Sequence, residues 1–417
     1  MLKIEKYIRL IKEYSRDNCL KITRQPEGRL KFPYLVPGAN CYESQLWDWD
    51  SWLTDIGISQ IMYDNDMDKS RYSECENGCI RNFAINTDSE GRMPILIKPD
   101  EIMPIFEADN VTNIHKPCFV QHMAFITKEN GGDAEWAREY LPAAKKFLQY
   151  YFENFKHEKT GLFFWQDDFA IGVDNDPCTF FRPPKSSASV YLNCLMYKEL
   201  KAMEYVLDCL GENSEIYKKA AENLKNAVNE HMWDERNGFY YSVDLNLMPI
   251  ESDKALHSGM PRHWDCVIER IDVWSGFTAM WAGISDRERA ERMVYENMLD
   301  TRTFNAEYGV RTLSKLEKMY CIVETGNPSC WLGPIWGISN YICFRSLVKF
   351  GYTDEARKLV EKTVLMHGRA IEQSGAMYEY YHPDTGEGVS NRGFQSWNFL
   401  VNNMIAWYEG RRVIIEF

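Results

Sequence analysis

Apolar residues recur at three- and four-residue spacing along nearly the whole chain, with polar residues filling the positions between them. That is the period with which a helix turns one stripe toward a core. It predicts helices over about 2–18, 51–65, 68–85, 115–129, 133–156, 186–211, 213–232, 274–282, 286–299, 333–350, 353–373 and 394–409. The connectors alternate in length. Short ones run from Met67 to Lys69, Asn130 to Asp133, Leu210 to Asn213, Gly283 to Asp286 and Gly351 to Thr353, whereas long ones occupy 86–114, 159–185, 233–273, 300–332 and 374–393. Strand-like material is short, as in Gly238-Phe239-Tyr240-Tyr241-Ser242-Val243, and no β-α alternation points to a parallel sheet. Helix pairs whose long loops all emerge at one end predict an all-α fold of the (α/α)6 toroid (barrel) type, an inner ring of helices inside an outer one. Long loops in a compact domain usually carry function. Pro and Gly appear only as loop punctuation, so residues 1–417 read as a single domain.

Composition narrows the function. With 417 residues and 45% hydrophobic content the chain can bury a large core. A formal charge of -13 repels nucleic acid and anionic membrane surfaces, so neither is an expected partner. The start, Met1 to Ile8, mixes charges at helical spacing and lacks the basic-then-apolar order of a secretory signal. No apolar run reaches membrane-spanning length. The 12 cysteines follow no repeating framework and read as reduced, mostly buried side chains, which with the missing signal gives a cytoplasmic expectation. Cys75 and Cys79 raise the question of zinc, but no second ligand pair lies nearby, and their spacing suits a packed helix face.

Two acid-bearing segments, Ile171-Gly172-Val173-Asp174-Asn175-Asp176-Pro177 and Met377-Tyr378-Glu379-Tyr380-Tyr381, sit among aromatic residues about half a chain apart. Cleaving a glycosidic bond takes one carboxylic acid to protonate the departing oxygen and one carboxylate to activate water, and aromatic faces hold the sugar ring. In the first segment and the preceding Asp167 and Asp168, each aspartate alone is better explained as a turn former. Together they crowd charge beside aromatic walls, which raises a carboxyl toward the range of an acid catalyst. Glu379 lies between aromatics and is the base candidate, whereas Glu387 belongs to the Pro383-Asp384-Thr385-Gly386 turn region and reads as solvated.

Other segments add a pocket. Trp47-Asp48-Trp49-Asp50-Ser51-Trp52 precedes a helix; Asp50 or Ser51 alone would serve as an N-cap, but the cluster reads better as a saccharide subsite. Trp331, Trp336 and Asn340 are expected to face a cavity, since an asparagine is an awkward core residue. The loop from His257 to Trp264 reads as surface that borders a pocket at most. Glu307 to Arg311 and Glu324 to Asn327 carry charges without a clear role.

In order and spacing, these segments resemble the clan of inverting α-glycosidases that contains glycoside hydrolase family 63 and trehalase, especially its compact mannosylglycerate-hydrolase-like branch. Trp49-Asp50-Ser51 is similar to the family's W-D-S segment, Gly91-Arg92-Met93-Pro94 to its G-x-x-P loop, and Lys116-Pro117 through Gln121 to its P-P-x-x-x-W/Q region. Gly172 to Pro177 resembles G-M-D-N-S-P, Trp331 to Tyr341 resembles Y-W-R-G-P-I-W-x-x-x-N-Y, and Glu379 to Gly388 resembles E-x-Y-x-P-x-T-G-E-G. The resemblance implies Asp174 as general acid and Glu379 as general base, set roughly 6.5–9.5 Å apart for inversion. It also implies Trp47, Trp49, Asp50, Gln121, Arg182, Trp331, Gly333, Trp336 and Trp397 as pocket residues for a small carbohydrate, with no metal or organic cofactor required. Arg182 either binds an anionic aglycone or ties down the acidic loop. Asp176, Val173 and Leu332 depart from the usual Ser, Met and Arg or Lys. Two other classes compete: a sugar epimerase on the same toroid, which would draw on histidines such as His115, His122, His257, His263 and His382, and a non-catalytic carbohydrate-binding protein.

Overall fold

A computed structural model describes residues 2–107, 110–180, 182–247, 264–323 and 329–417. The loop residues 257–263 and 324–327 lie outside the described residues. Helices occupy α1 (Leu2–Asn18), α2 (Asp48–Asp64), α3 (Ser70–Ile85), α4 (Phe119–Glu129), α5 (Leu141–Asn154), α6 (Val190–Cys209), α7 (Glu215–His231), α8 (Thr278–Ala282), α9 (Arg287–Arg292), α10 (Gly337–Phe350), α11 (Thr353–Ser374) and α12 (Val401–Tyr408). Tighter 3-10 turns at Glu135–Tyr140, Trp274–Phe277 and Ser396–Leu400 lead into α5, α8 and α12, and a π turn at Met293–Met298 continues α9. The helical periodicity is therefore in register with the structure, while some of the winding it implies is not α.

The even-numbered helices form the inner ring. α2 touches α4, α4 touches α6, α6 touches α8, α8 touches α10, α10 touches α12, and α12 returns to α2. Sequence chemistry explains which helix goes where. Every residue of α2 from Asp48 to Met62 is buried, as a helix enclosed on all sides requires, whereas α7 buries only Ala221, Leu224, Ala227 and Val228. The outer α1 packs on α11, and α7 on α6. Gly57 lets α2 approach the turn before α12 closely, since a Cβ there would stand 2.8 Å from Phe399 Cβ. Cys75 and Cys79 are buried in α3, and burial pushes the Cys75 thiol up to about 12.

The long loops all lead into the N-terminal ends of inner helices, and two-residue strands pin them there. Leu46–Trp47 pairs antiparallel with Leu96–Ile97, and Ser187–Ala188 with Val243–Asp244. Ile335–Trp336 pairs with Tyr380–Tyr381, setting Trp336 opposite Tyr380. These pairs shift three helix starts from the periodicity. α10 begins at Gly337, not 333, because Ile335 and Trp336 are extended. α6 begins after Ser189, whose hydroxyl caps Leu192 N–H at 3.2 Å. α2 begins earlier, at Asp48, so Asp50 lies inside its first turn and is not an N-cap.

The chain's last residues cross the other end of the inner ring. Ile414 N–H donates to Gln60 Oε1 at 2.7 Å, and Asn403 Nδ2 donates to the Ile414 carbonyl at 2.7 Å. Buried Glu416 then accepts from Tyr341 at 2.5 Å, Trp281 at 2.9 Å and Arg345 at 3.0 Å. No helix among the described residues is long and apolar enough to cross a membrane.

Candidate active site

At the loop-bearing end, the first turn of α2 forms one wall. Trp49 and Asp50 face inward, and the Asp50 carboxylate accepts from Ser396 Oγ at 3.0 Å. Burial pushes Asp50 up to about 8 against that hydrogen bond, and neighbouring Asp48 pushes the same way. Asp48 itself is tied to Lys116 at 2.8 Å, and that ammonium stands 5.3 Å from the centroid of the Trp49 ring.

The acid-rich loop crosses above. Gly172 takes φ +91°, and a Cβ there would come within 2.8 Å of the Trp49 ring, so only glycine lets the loop lie against the indole. The Tyr191 hydroxyl holds the Ile171 carbonyl, and Asn175 Oδ1 accepts the Trp331 N–H at 2.7 Å. Asp174, fixed between these anchors, is half-buried and faces the cavity. Burial raises its pKa, while a Ser329 hydrogen bond and the Lys116 charge pull it down. Asp176 instead points inward to the Cys178 N–H at 3.0 Å, and burial pushes it up to about 6. Asp167 is a turn former, accepting from Phe169 N–H at 2.9 Å.

The third wall carries Glu379, delivered beside Trp336 by the strand pair. Its backbone N–H donates to the Ser390 carbonyl at 3.0 Å, and that pairing sets Asn391 beside its side chain. Asn391, at φ +43°, donates its amide to the carboxylate, and the Tyr42 hydroxyl donates at 3.0 Å. The left-handed region is disfavoured for most side chains, and asparagine tolerates it best after glycine. Burial pushes Glu379 up to about 7, opposed by these two hydrogen bonds and reinforced by the charge of Asp174.

All three walls line one cavity. The predicted residues Trp47, Trp49, Asp50, Asp174, Trp336, Glu379 and Trp397 line it. Trp397 is buried, and among the described residues its indole N–H has no partner. The remaining predicted pocket residues lie elsewhere. Trp331 stacks behind Trp336 with centroids 4.0 Å apart, and a Cβ on Gly333 would meet the Tyr320 ring at 2.4 Å. The Gln121 amide is used at the α4–α6 junction, donating to the Pro117 carbonyl at 2.6 Å and the Leu195 carbonyl at 3.1 Å. Arg182 pairs with Asp244 and, at 2.9 Å, with Glu269, the loop-tying use. Asn340, expected to face the cavity, is satisfied inside the protein by Val310 N–H at 2.9 Å and Thr363 Oγ1 at 3.0 Å.

Lys116, Tyr42, Asn391, Ser329, Pro37 and Phe394 have no individual role in the sequence-based expectations; all except Asn391 line the cavity. No histidine does so among the described residues. His115 and His122 are buried apart from it and pushed down to about 4 and about 3 by burial, so neither of these two serves an epimerase as proton carrier in this cavity.

The family model described as the mannosylglycerate hydrolase MGH1-like glycoside hydrolase domain matches residues 43–397. The cytosolic neutral trehalase of Kluyveromyces lactis is 22% identical over an alignment covering 85% of this chain and 51% of the trehalase. This chain thus spans about half the length of that relative. Mannosylglycerate hydrolase MGH1 of Selaginella moellendorffii is 20% identical, covering 95% of this chain and 86% of the relative. Among solved structures, the GH63 mannosylglycerate hydrolase from Thermus thermophilus in complex with glucose matches with a TM-score of 0.68 at 17% identity, over 95% of this chain and 100% of the other. Likeness at that identity speaks for the fold, and it agrees with the closed cycle of inner helices. The matched span of the family model contains Asp174 and Glu379, ends on Trp397, and covers most of the chain; the protein belongs to the MGH1-like glycoside hydrolase domain family.

Proposed function

We propose that the protein is an inverting, exo-acting α-glycosidase that hydrolyses a small α-glucoside or α-mannoside, a glycosylglycerate or short oligosaccharide. The observation that carries this reading is that Asp174 and Glu379, distant in sequence, line one tryptophan-walled cavity, where the charge of one acts on the other. Protonated Asp174 gives its proton to the glycosidic oxygen as the bond to the anomeric carbon breaks. Ionised Glu379 takes a proton from a water that bonds to that carbon from the opposite face, so the product carries inverted configuration. Trp49, Trp336 and Trp397 offer indole faces to the ring, and Asp50 accepts or donates to its hydroxyls. The substrate class is supported by the mannosylglycerate hydrolases among the relatives and by glucose in the complex of one of them.

The test is incubation with α-mannosylglycerate, α-glucosylglycerate and α-linked disaccharides, with proton NMR reading the first anomer released. The β-anomer is expected from one of them. First release of the α-anomer, or hydrolysis undiminished in Asp174→Asn, would overturn the assignment.

A further inference from the structure

One buried cation in the cavity wall has no part in the proton transfers above. Lys116 stands where the family motif has its first proline, and its side chain is 1% exposed. Asp48, just as buried, clamps it twice. Its Oδ1 takes the ammonium at 2.8 Å and its Oδ2 takes the Lys116 backbone N–H at 2.9 Å. Asp48 is itself fixed by accepting the Trp49 N–H at 2.7 Å. The lysine stem passes Gly172, whose missing Cβ would lie 3.1 Å from Cε, and the ammonium reaches the Ala170 carbonyl at 3.4 Å. An ammonium has three N–H donors. Among the described residues Asp48 and Ala170 take two, and Lys116 borders the cavity within electrostatic reach of both Asp50 and Asp174.

The pair with Asp48 is already neutral, so a ligand carboxylate would bring an uncompensated second anion into a buried site. A hydroxyl would not. We propose that Lys116, clamped by Asp48, is a specificity-determining residue that donates a hydrogen bond to one hydroxyl of the sugar ring held in the cavity. This rests on the glycosidase reading of the cavity, though not on which carboxyl is acid and which is base. The donor is held before the sugar arrives, so binding costs little of the side-chain freedom that a surface lysine would lose. A buried donor built to meet a hydroxyl also penalises any sugar that lacks it, since the N–H is then left unpaired.

The experiment titrates the full chain calorimetrically with D-glucose, D-mannose and the monodeoxy derivatives of each. Unmodified protein is expected to bind one deoxy sugar about 10–100-fold more weakly than its parent. The Asp48→Asn/Lys116→Met double variant, which leaves no buried charge unpaired, should bind the parent as weakly and no longer tell the two apart; Asp48→Ser/Lys116→Met, equally free of a stranded charge, serves if that variant melts early. A gap between parent and deoxy sugar that survives in the variant assigns that hydroxyl to another residue and overturns the proposal, as does a chain that binds every monodeoxy sugar like its parent. Hydrolysis without this discrimination overturns Lys116 alone and leaves Asp174 and Glu379 standing. Discrimination in a chain that hydrolyses nothing does the reverse.

Discussion

Glu379 and Glu416 are both buried glutamates attached to the inner ring, one at its loop-bearing end and the other near the opposite end. Burial alone would raise both. Among the described residues Glu379 meets only neutral donors, the Tyr42 hydroxyl and the Asn391 amide, and it rises to about 7. Glu416 meets Arg345 at 3.0 Å, with Lys198 nearby, and falls to about 2 in spite of the burial. Lys198 is itself pushed down to about 7 by burial, so Arg345 carries most of that pairing. The difference teaches what each end is for. A carboxylate paired with a buried guanidinium is locked in one charge state and serves structure; one given only neutral donors keeps a proton in play near neutrality, which is what acid–base chemistry requires.

The comparison breaks most sharply under one substitution made at both ends. Glu379→Gln is expected to lower kcat by about 10²–10⁴-fold, the usual worth of a general base, measured by product release on whichever glycoside proves active. Glu416→Gln should leave that chemistry in place but strand Arg345 as a buried charge, at a cost of about 3–5 kcal/mol in denaturant unfolding. The pH dependence has opposite signs. Glu416, with a lowered folded pKa, stabilises above about 4.5 and loses that contribution as pH falls toward 2. Glu379, with a raised one, destabilises as pH climbs from about 4.5 to 7, because the unfolded chain gives up the proton first. Glu379→Gln should therefore unfold later than the unmodified protein at pH 8, by about 3 kcal/mol, and lose that advantage near pH 4. Equal stability of the two proteins across that range would show that the charge of Glu379 is not desolvated.

How much of this contrast was legible in the sequence follows from where each signal resides. Helix positions were, because a stripe at period 3.6 is local, and so was the meeting of Asp174 with Glu379 through the family resemblance. Pocket membership was not, wherever it depended on which way a side chain turns. Trp331 and Trp336 are five residues apart, and the strand pair at Ile335–Trp336 sends one into the cavity and the other behind it. Gln121 occupies the motif position, but Glu199 caps α4 through Val120 and Gln121 N–H groups at 2.7 and 3.0 Å, turning its amide into the α4–α6 junction. Asn391 shows no local signal at all. It reaches Glu379 only because Glu379 and Ser390 pair across a hairpin.

That amide offers a smaller, sharper test. Asn391→Gly removes the donor while suiting the left-handed backbone, so the effect is not confounded with strain. The lost hydrogen bond stabilised the ionised carboxylate, so its pKa rises and the acid limb of kcat/KM should move up by about one unit, with a fall of about tenfold in rate below it. A fall in rate with the limb unmoved would mean that Asn391 shapes the loop and does not tune Glu379.

The smallest expected effect concerns a carboxylate that fits neither type. Glu269 touches Arg182 at 2.9 Å, as Glu416 touches Arg345, yet burial together with Asp244 and Asp176 pushes it up to about 7. The guanidinium is divided, since Asp244 takes the same Nη2. A cation shared with Asp244 does not hold Glu269 down against its burial, whereas Arg345 meets Glu416 through two contacts at 3.0 and 3.1 Å. Arg182 is also nearly a third exposed, which screens it further. Arg182→Lys should thus cost less than about 1 kcal/mol and leave kcat/KM within about threefold, because the pair ties the loop from outside the cavity. Selective loss of activity on a glycosylglycerate, with disaccharide cleavage kept, would instead bring Arg182 into contact with substrate and separate it from the structural cations.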